Sequence, residues 1–178
     1  GVCRVEVNGT EAYVNPHDLN PNSVELSGYI PGSGGIRADY NDIHYNMLSD
    51  TPMSGIITTG HSCEDKVNCM QIGMDIAKLL GCNVDRANIQ GYSAGGGVAI
   101  QRGNEFSGNY PNVDLEIYLT DPFNVKKDSS YISNVDNLVN NDVPVFILGP
   151  SAGSRLDEET KRITSQSIDT VLIQTDAG

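Results

Sequence analysis

After a short opening hairpin, this chain alternates apolar strand-like runs with helix-like stretches, and that alternation restricts the fold more than any other feature. Strands are expected at 4–7, 11–14, 24–30, 55–59, 87–90, 115–120, 143–148 and 170–175, and helices at 37–48, 64–80, 94–102, 129–139 and 157–167. Within 64–80, Val67, Met70, Met74 and Ala77 recur on one helical face, and Gly81 provides the stop. The stretch from Val143 to Leu148 is strongly apolar, as a strand covered on both faces would be. Parallel strands need crossover connections, and helical crossovers cover both faces of a sheet. The expected architecture is therefore α/β: a three-layer, mainly parallel, eight-stranded sheet with an N-terminal antiparallel hairpin. No internal repeat, low-complexity tract or linker divides it, so residues 1–178 read as one domain large enough to bury a core.

One turn in this alternation carries chemistry. Gly91-Tyr92-Ser93-Ala94-Gly95 stands directly between an expected strand and an expected helix, giving G-x-S-x-G in the context that a nucleophilic serine needs. A serine at so sharp a strand-to-helix turn has crowded backbone, which calls for small residues two positions before and after it. The amide that follows opens the helix and faces a developing oxyanion. The competing reading is a glycine-rich turn whose serine only caps the helix. With 19 glycines in the chain, the bare pentapeptide arises readily by chance; the strand and helix around it give it weight.

Composition narrows the partners. Eleven basic residues against 23 acidic ones give a net charge of −12, a surface that repels nucleic acid and anionic membranes. No apolar run approaches the roughly 18 residues of a membrane span. The chain opens at Gly1 without an initiator Met or an apolar leader, as a processed or excised chain would. Secretion and a cytoplasmic location both stay open, with secretion preferred. Cys3, Cys63, Cys69 and Cys82 match no metal motif and form no disulfide scaffold. They read equally as one or two disulfides or as buried thiols. Asn8-Gly9-Thr10 is a formal glycosylation sequon, but Asn-Gly between two strands reads better as a hairpin turn. Neither Gly32–Gly35 nor Gly95–Gly97 has the spacing or the lysine of a phosphate-cradling loop, so no cofactor and no metal are expected.

Eight strands, a first pair in hairpin form and the serine turn after the fifth strand resemble the α/β-hydrolase superfamily over nearly the whole chain. The resemblance implies a serine esterase or lipase-like enzyme acting on a small ester. It makes Pro31-Gly32-Ser33-Gly34-Gly35, after the third strand, the oxyanion loop, although many members carry His-Gly where Pro31-Gly32 stands. The backbone N–H groups of Ser33 and Ala94 would then bind the oxyanion. The triad acid is implied at Asp121, after the sixth strand; Asp157, after the seventh, is the other position. The 122–142 stretch is where the family builds a cap, and its shortness suggests an accessible substrate such as a short-chain acyl ester.

A serine hydroxyl attacks at neutral pH only when a positioned imidazole takes its proton. The resemblance places that histidine after the last strand, where Asp176-Ala177-Gly178 stands at the end of this sequence. His17 and His44 are poorly placed for the work. His61 follows the fourth strand at the edge where α/β sites form, and is the candidate for substrate contact or an alternative base. Three readings result: a C-terminally truncated hydrolase, which is preferred; a hydrolase with an unusual base; or a non-catalytic binding or interaction module with a degenerate site.

Overall fold

The computed structural model of the chain describes residues 1–34, 46–50, 52–122, 129–150 and 170–175, with backbone alone at 129–132, 149–150 and 170–175. Eight strands form one sheet: β1 (Cys3–Val7), β2 (Thr10–Val14), β3 (Val24–Ile30), β4 (Gly55–Thr59), β5 (Val84–Tyr92), β6 (Asp114–Thr120), β7 (Val145–Pro150) and β8 (Thr170–Thr175). Their order is β1-β2-β4-β3-β5-β6-β7-β8. The hairpin β1–β2 is antiparallel and joins β4 antiparallel; every other pairing is parallel. The helices are α1 (Cys69–Leu79), α2 (Gly95–Asn109) and α3 (Ser129–Asn140).

The hairpin turn is the two-residue kind. Asn8 (φ +50°) and Gly9 (φ +85°) both take left-handed backbone, the type I′ geometry whose twist suits paired strands. Asn-Gly serves the turn, as expected.

One large core joins the three helices to one face of the sheet. It includes Leu26 of β3, Ile56 of β4, Ile89 of β5, Ile117 of β6 and Ile147 of β7, with Met70 of α1, Ile100 and Phe106 of α2, and Leu138 of α3. The opposite face carries a smaller cluster in which Leu48, from a helical segment at 46–50, packs with Tyr13 and Ile57. Asn15 Nδ2 donates to Leu48 O at 3.2 Å and ties that segment to the end of β2. On β5 and β6 the same face is polar. Arg86 and Gln90, then Glu116, Tyr118 and Thr120, are exposed and alternate with buried residues. Such alternation is that of strands with one face packed against the described helices.

Element bounds depart from expectation where local chemistry competes. Strand β5 runs from Val84 to Tyr92 rather than 87–90, because its polar half-face hides its length. Helix α2 continues to Asn109, seven residues beyond expectation, since Gly103 and Phe106 still face the core. Strand β7 begins at Val145 because Pro144 lacks an N–H; its carbonyl instead accepts from Ile117 N at 3.0 Å. Helix α1 starts at Cys69, five residues later than expected. Asp65 (φ +44°) and Asn68 (φ +59°) leave the right-handed region, and Asn68 Oδ1 caps the helix by accepting from Gln71 N at 3.2 Å. The expected helix at 37–48 lies outside the described residues except for its last three. The expected helix at 157–167 lies outside them entirely. All four cysteines are free thiols, so no disulfide forms.

Candidate active site

Ser93 stands at the carboxyl end of β5 with left-handed backbone, φ +50°. L-residues rarely adopt that region, and such strain persists only where the surroundings over-determine it. Here the surroundings are backbone. Ser93 N–H donates to Thr120 O of β6 at 3.0 Å, and Ser93 O accepts from Gly96 N in the first turn of α2 at 2.9 Å. Ala94, buried, takes helical angles and opens α2. Its amide belongs to the first turn, where N–H groups have no acceptor within the helix and the helix dipole is positive.

The two glycines of the pentapeptide are sterically required. A methyl on Gly91 would come 2.7 Å from Ala99 Cβ and 2.9 Å from Gly95 O. A methyl on Gly95 would come 2.3 Å from Pro31 O and 2.5 Å from Ile30 O. The second pair of distances fixes more than the turn: the backbone leaving β3 passes directly over the first residue of α2. Gly32 completes the approach, because a methyl there would lie 3.4 Å from Ser93 Cβ. Pro31 and Gly32 are buried, while Ser33 and Gly34 turn out to solvent. The segment around Ser33 is thereby brought next to Ser93.

Asp121 sits one strand over. Thr120 pairs with Tyr92, so Ser93 and Asp121 each follow one member of an in-register pair at the same sheet edge. Adjacent strands are about 4.8 Å apart. Asp121 repeats the backbone strain of Ser93, with φ +45°, and its N–H donates to Leu148 O of β7 at 2.7 Å. One of its carboxylate oxygens is buried. Asp157 and His44 lie outside the described residues.

The two described histidines stand elsewhere. His61 is at the carboxyl edge of β4, with β3 between it and β5, which places its backbone two strand spacings from the serine strand, about 10 Å. Its ring packs over the hairpin, where a methyl on Gly9 would meet His61 Cγ at 3.1 Å. His17 follows β2, whose end pairs with the start of β4, so it lies at the opposite sheet edge.

A polar cluster that the sequence pattern did not single out occupies the loop between β4 and α1. Asp65, almost fully buried, accepts from Arg102 Nε at 2.9 Å and from Cys69 N at 3.1 and 3.2 Å. The Arg102 guanidinium also donates to the Asp65 carbonyl, and Arg102 Nη1 pairs with Glu105 Oε2 at 2.9 Å. Burial pushes the Asp65 carboxyl up, and Arg102 and the Cys69 amide pull only part of that back. The same burial, reinforced by Asp65, holds the Cys69 thiol well above its ordinary range, so it stays protonated and unreactive. The only local signal was Glu105 three residues after Arg102; the partner that matters is 37 residues away. Among the described residues, no group of three or more His, Cys, Asp or Glu side chains could hold a metal ion. No described helix is long and apolar enough to cross a membrane.

No family model and no curated sequence matches the chain. Solved structures do. Est1E from Butyrivibrio proteoclasticus is 15% identical with a TM-score of 0.58, over 98% of this chain and 88% of that one. The carboxylesterase EstE1, cloned from a metagenomic library, is 15% identical with a TM-score of 0.60, over 98% and 78%. A variant of LipA, the rice cell wall degrading esterase of Xanthomonas oryzae, is 8% identical with a TM-score of 0.55, over 95% and 78%. The chain has the α/β-hydrolase fold.

Proposed function

We propose that the protein is a serine hydrolase that cleaves a small carboxylic ester through an acyl-enzyme on Ser93. The observation that carries this reading is the strained backbone of Ser93, φ +50°, at the junction of β5 and α2, with the Pro31–Gly32 backbone packed beside it. Strain of that size at a strand exit is what a presented nucleophile requires, and a helix-capping serine does not need it. The likeness to structures named as esterases favours an ester substrate.

In this reading the Ser93 hydroxyl loses its proton to a histidine as its oxygen attacks the ester carbonyl. The oxyanion so formed accepts from the N–H groups of Ala94 and Ser33, donors that act strongly when held in place before the charge develops. Collapse of the tetrahedral intermediate expels the alcohol, which takes the proton back from the imidazolium. Water then repeats the sequence and releases the acid. Asp121 orients the histidine and stabilises its charged form. The base in this reading is a histidine beside Asp121; His61 and His17 have their backbones elsewhere on the sheet.

Labelling of the full-length polypeptide with a fluorophosphonate, read by mass spectrometry, tests the proposal. Stoichiometric modification at Ser93 supports it. A full-length chain that takes no label is instead a binding or interaction module that keeps the turn for structure.

A further inference from the structure

Successive residues of β5 point to opposite faces of the sheet. Gly91 faces α2, where a methyl on it would strike Ala99, so Tyr92 turns to the other face, with 40% of its surface exposed. There its ring lies against the segment leaving β3. A methyl on Gly32 would come 3.1 Å from Tyr92 Cδ1 and 3.4 Å from Tyr92 Cε1, besides the 3.4 Å to Ser93 Cβ. A side chain on Gly32 would thus run into both the aromatic ring and the root of the serine side chain. One and two residues earlier, the carbonyls of Pro31 and Ile30 rest on Gly95 of α2. The segment is thus gripped by helix backbone on one face of the sheet edge and by a ring on the other.

A glycine at the end of a strand has more backbone freedom than any other residue, and nothing in Gly32 itself limits where the next amide points. Oxyanion stabilisation depends on donors held in place before the charge develops, and a displacement of about 1 Å costs orders of magnitude in rate. We propose that Tyr92 is a positioning residue: its ring clamps Gly32 and so sets where Ser33 N–H stands relative to Ser93. This inference rests on the hydrolase reading for its catalytic consequence, but the clamp is a physical contact that can be measured by itself. The nearest ring atoms are Cδ1 and Cε1, so the ring carbons rather than the hydroxyl carry the role.

The test compares the full-length wild type with Tyr92→Ala and Tyr92→Phe, by amide hydrogen exchange and by turnover of a short-chain p-nitrophenyl ester. Tyr92→Ala is expected to speed exchange at residues 32–34 about tenfold while the amides of α1 keep their wild-type rates. It is expected to lower kcat about tenfold or more with KM within about twofold, because the lost interaction belongs to the transition state. Tyr92→Phe is expected to restore both. Unchanged exchange at 32–34 in Tyr92→Ala, or a phenylalanine variant as loose as the alanine one, overturns the clamp. A wild type that turns over no ester counts against the hydrolase reading alone, since the exchange comparison still decides the clamp.

Discussion

Among the turns at the carboxyl edge of the sheet that hold non-glycine residues in left-handed backbone, those after β4 and β5 offset that strain in opposite ways. After β4, Asp65 and Asn68 are stabilised by what their side chains do: one carboxylate collects the Cys69 amide and the Arg102 guanidinium, and one amide caps α1. After β5, Ser93 is held by backbone hydrogen bonds to Thr120 and Gly96 and by the absence of side chains at Gly32, Gly91 and Gly95. The first turn uses its functional groups to hold itself together. The second is held by everything except its functional group, whose hydroxyl stays at the half-buried edge. Strain alone does not mark a reactive residue; at Ser93 the surrounding backbone maintains the strain, and on this the hydrolase reading rests.

Substitutions on each side break this contrast by different amounts. The largest effect is expected from Ser93→Ala, which should cut ester turnover by about 10⁴-fold or more and leave urea unfolding nearly unchanged. Persisting turnover would remove Ser93 as the nucleophile. Arg102→Met comes next. It leaves Asp65 as a buried charge without its guanidinium and should cost about 3–5 kcal/mol in denaturant titrations. Its pH dependence sharpens the point. Burial already raises Asp65 in the folded state, so the folded protein holds that proton more readily than the unfolded chain. A carboxyl raised in this way costs stability when ionised, and the cost shrinks as pH falls through the folded value toward the unfolded one. The Arg102→Met deficit should therefore be smaller at about pH 5 than at about pH 7; a deficit that grew on acidification would contradict the buried-charge account.

Gly95→Ala should cost about 1–3 kcal/mol, because its methyl meets the backbone carbonyls of Pro31 and Ile30 and one of the two segments must shift. Reduced fluorophosphonate labelling alongside the lost stability would show that the β3 segment had moved from Ser93. The smallest effect belongs to Asn68→Ala, about 1–2 kcal/mol from the lost cap and the left-handed backbone. Labelling at Ser93 should not change with it, which separates the two turns directly.

How much of this was legible beforehand follows from the range of the interactions. The strands 24–30, 55–59 and 170–175 were readable to the residue, and the Asn8-Gly9 turn and the serine turn were placed correctly. The start of α1 was not. A helical apolar pattern continues back to Val67, but a buried Asp65 bonded to a residue on another helix outweighs it. The length of β5 was missed because Arg86, Asn88 and Gln90 occupy a face that no described helix covers.

Residue order alone determined the succession of strands and helices, the hairpin turn, and the small residues on either side of Ser93. These depend on backbone preferences and periodicities within a few consecutive positions. Only the folded chain decided that Asp121 stands one strand from Ser93 while His61 leans over Gly9, that Gly32 comes close to Tyr92 and Ser93, and that Arg102 reaches Asp65. Those facts depend on strand order and on close approach between segments distant in sequence, where the deciding quantity is which atoms occupy the same few ångströms.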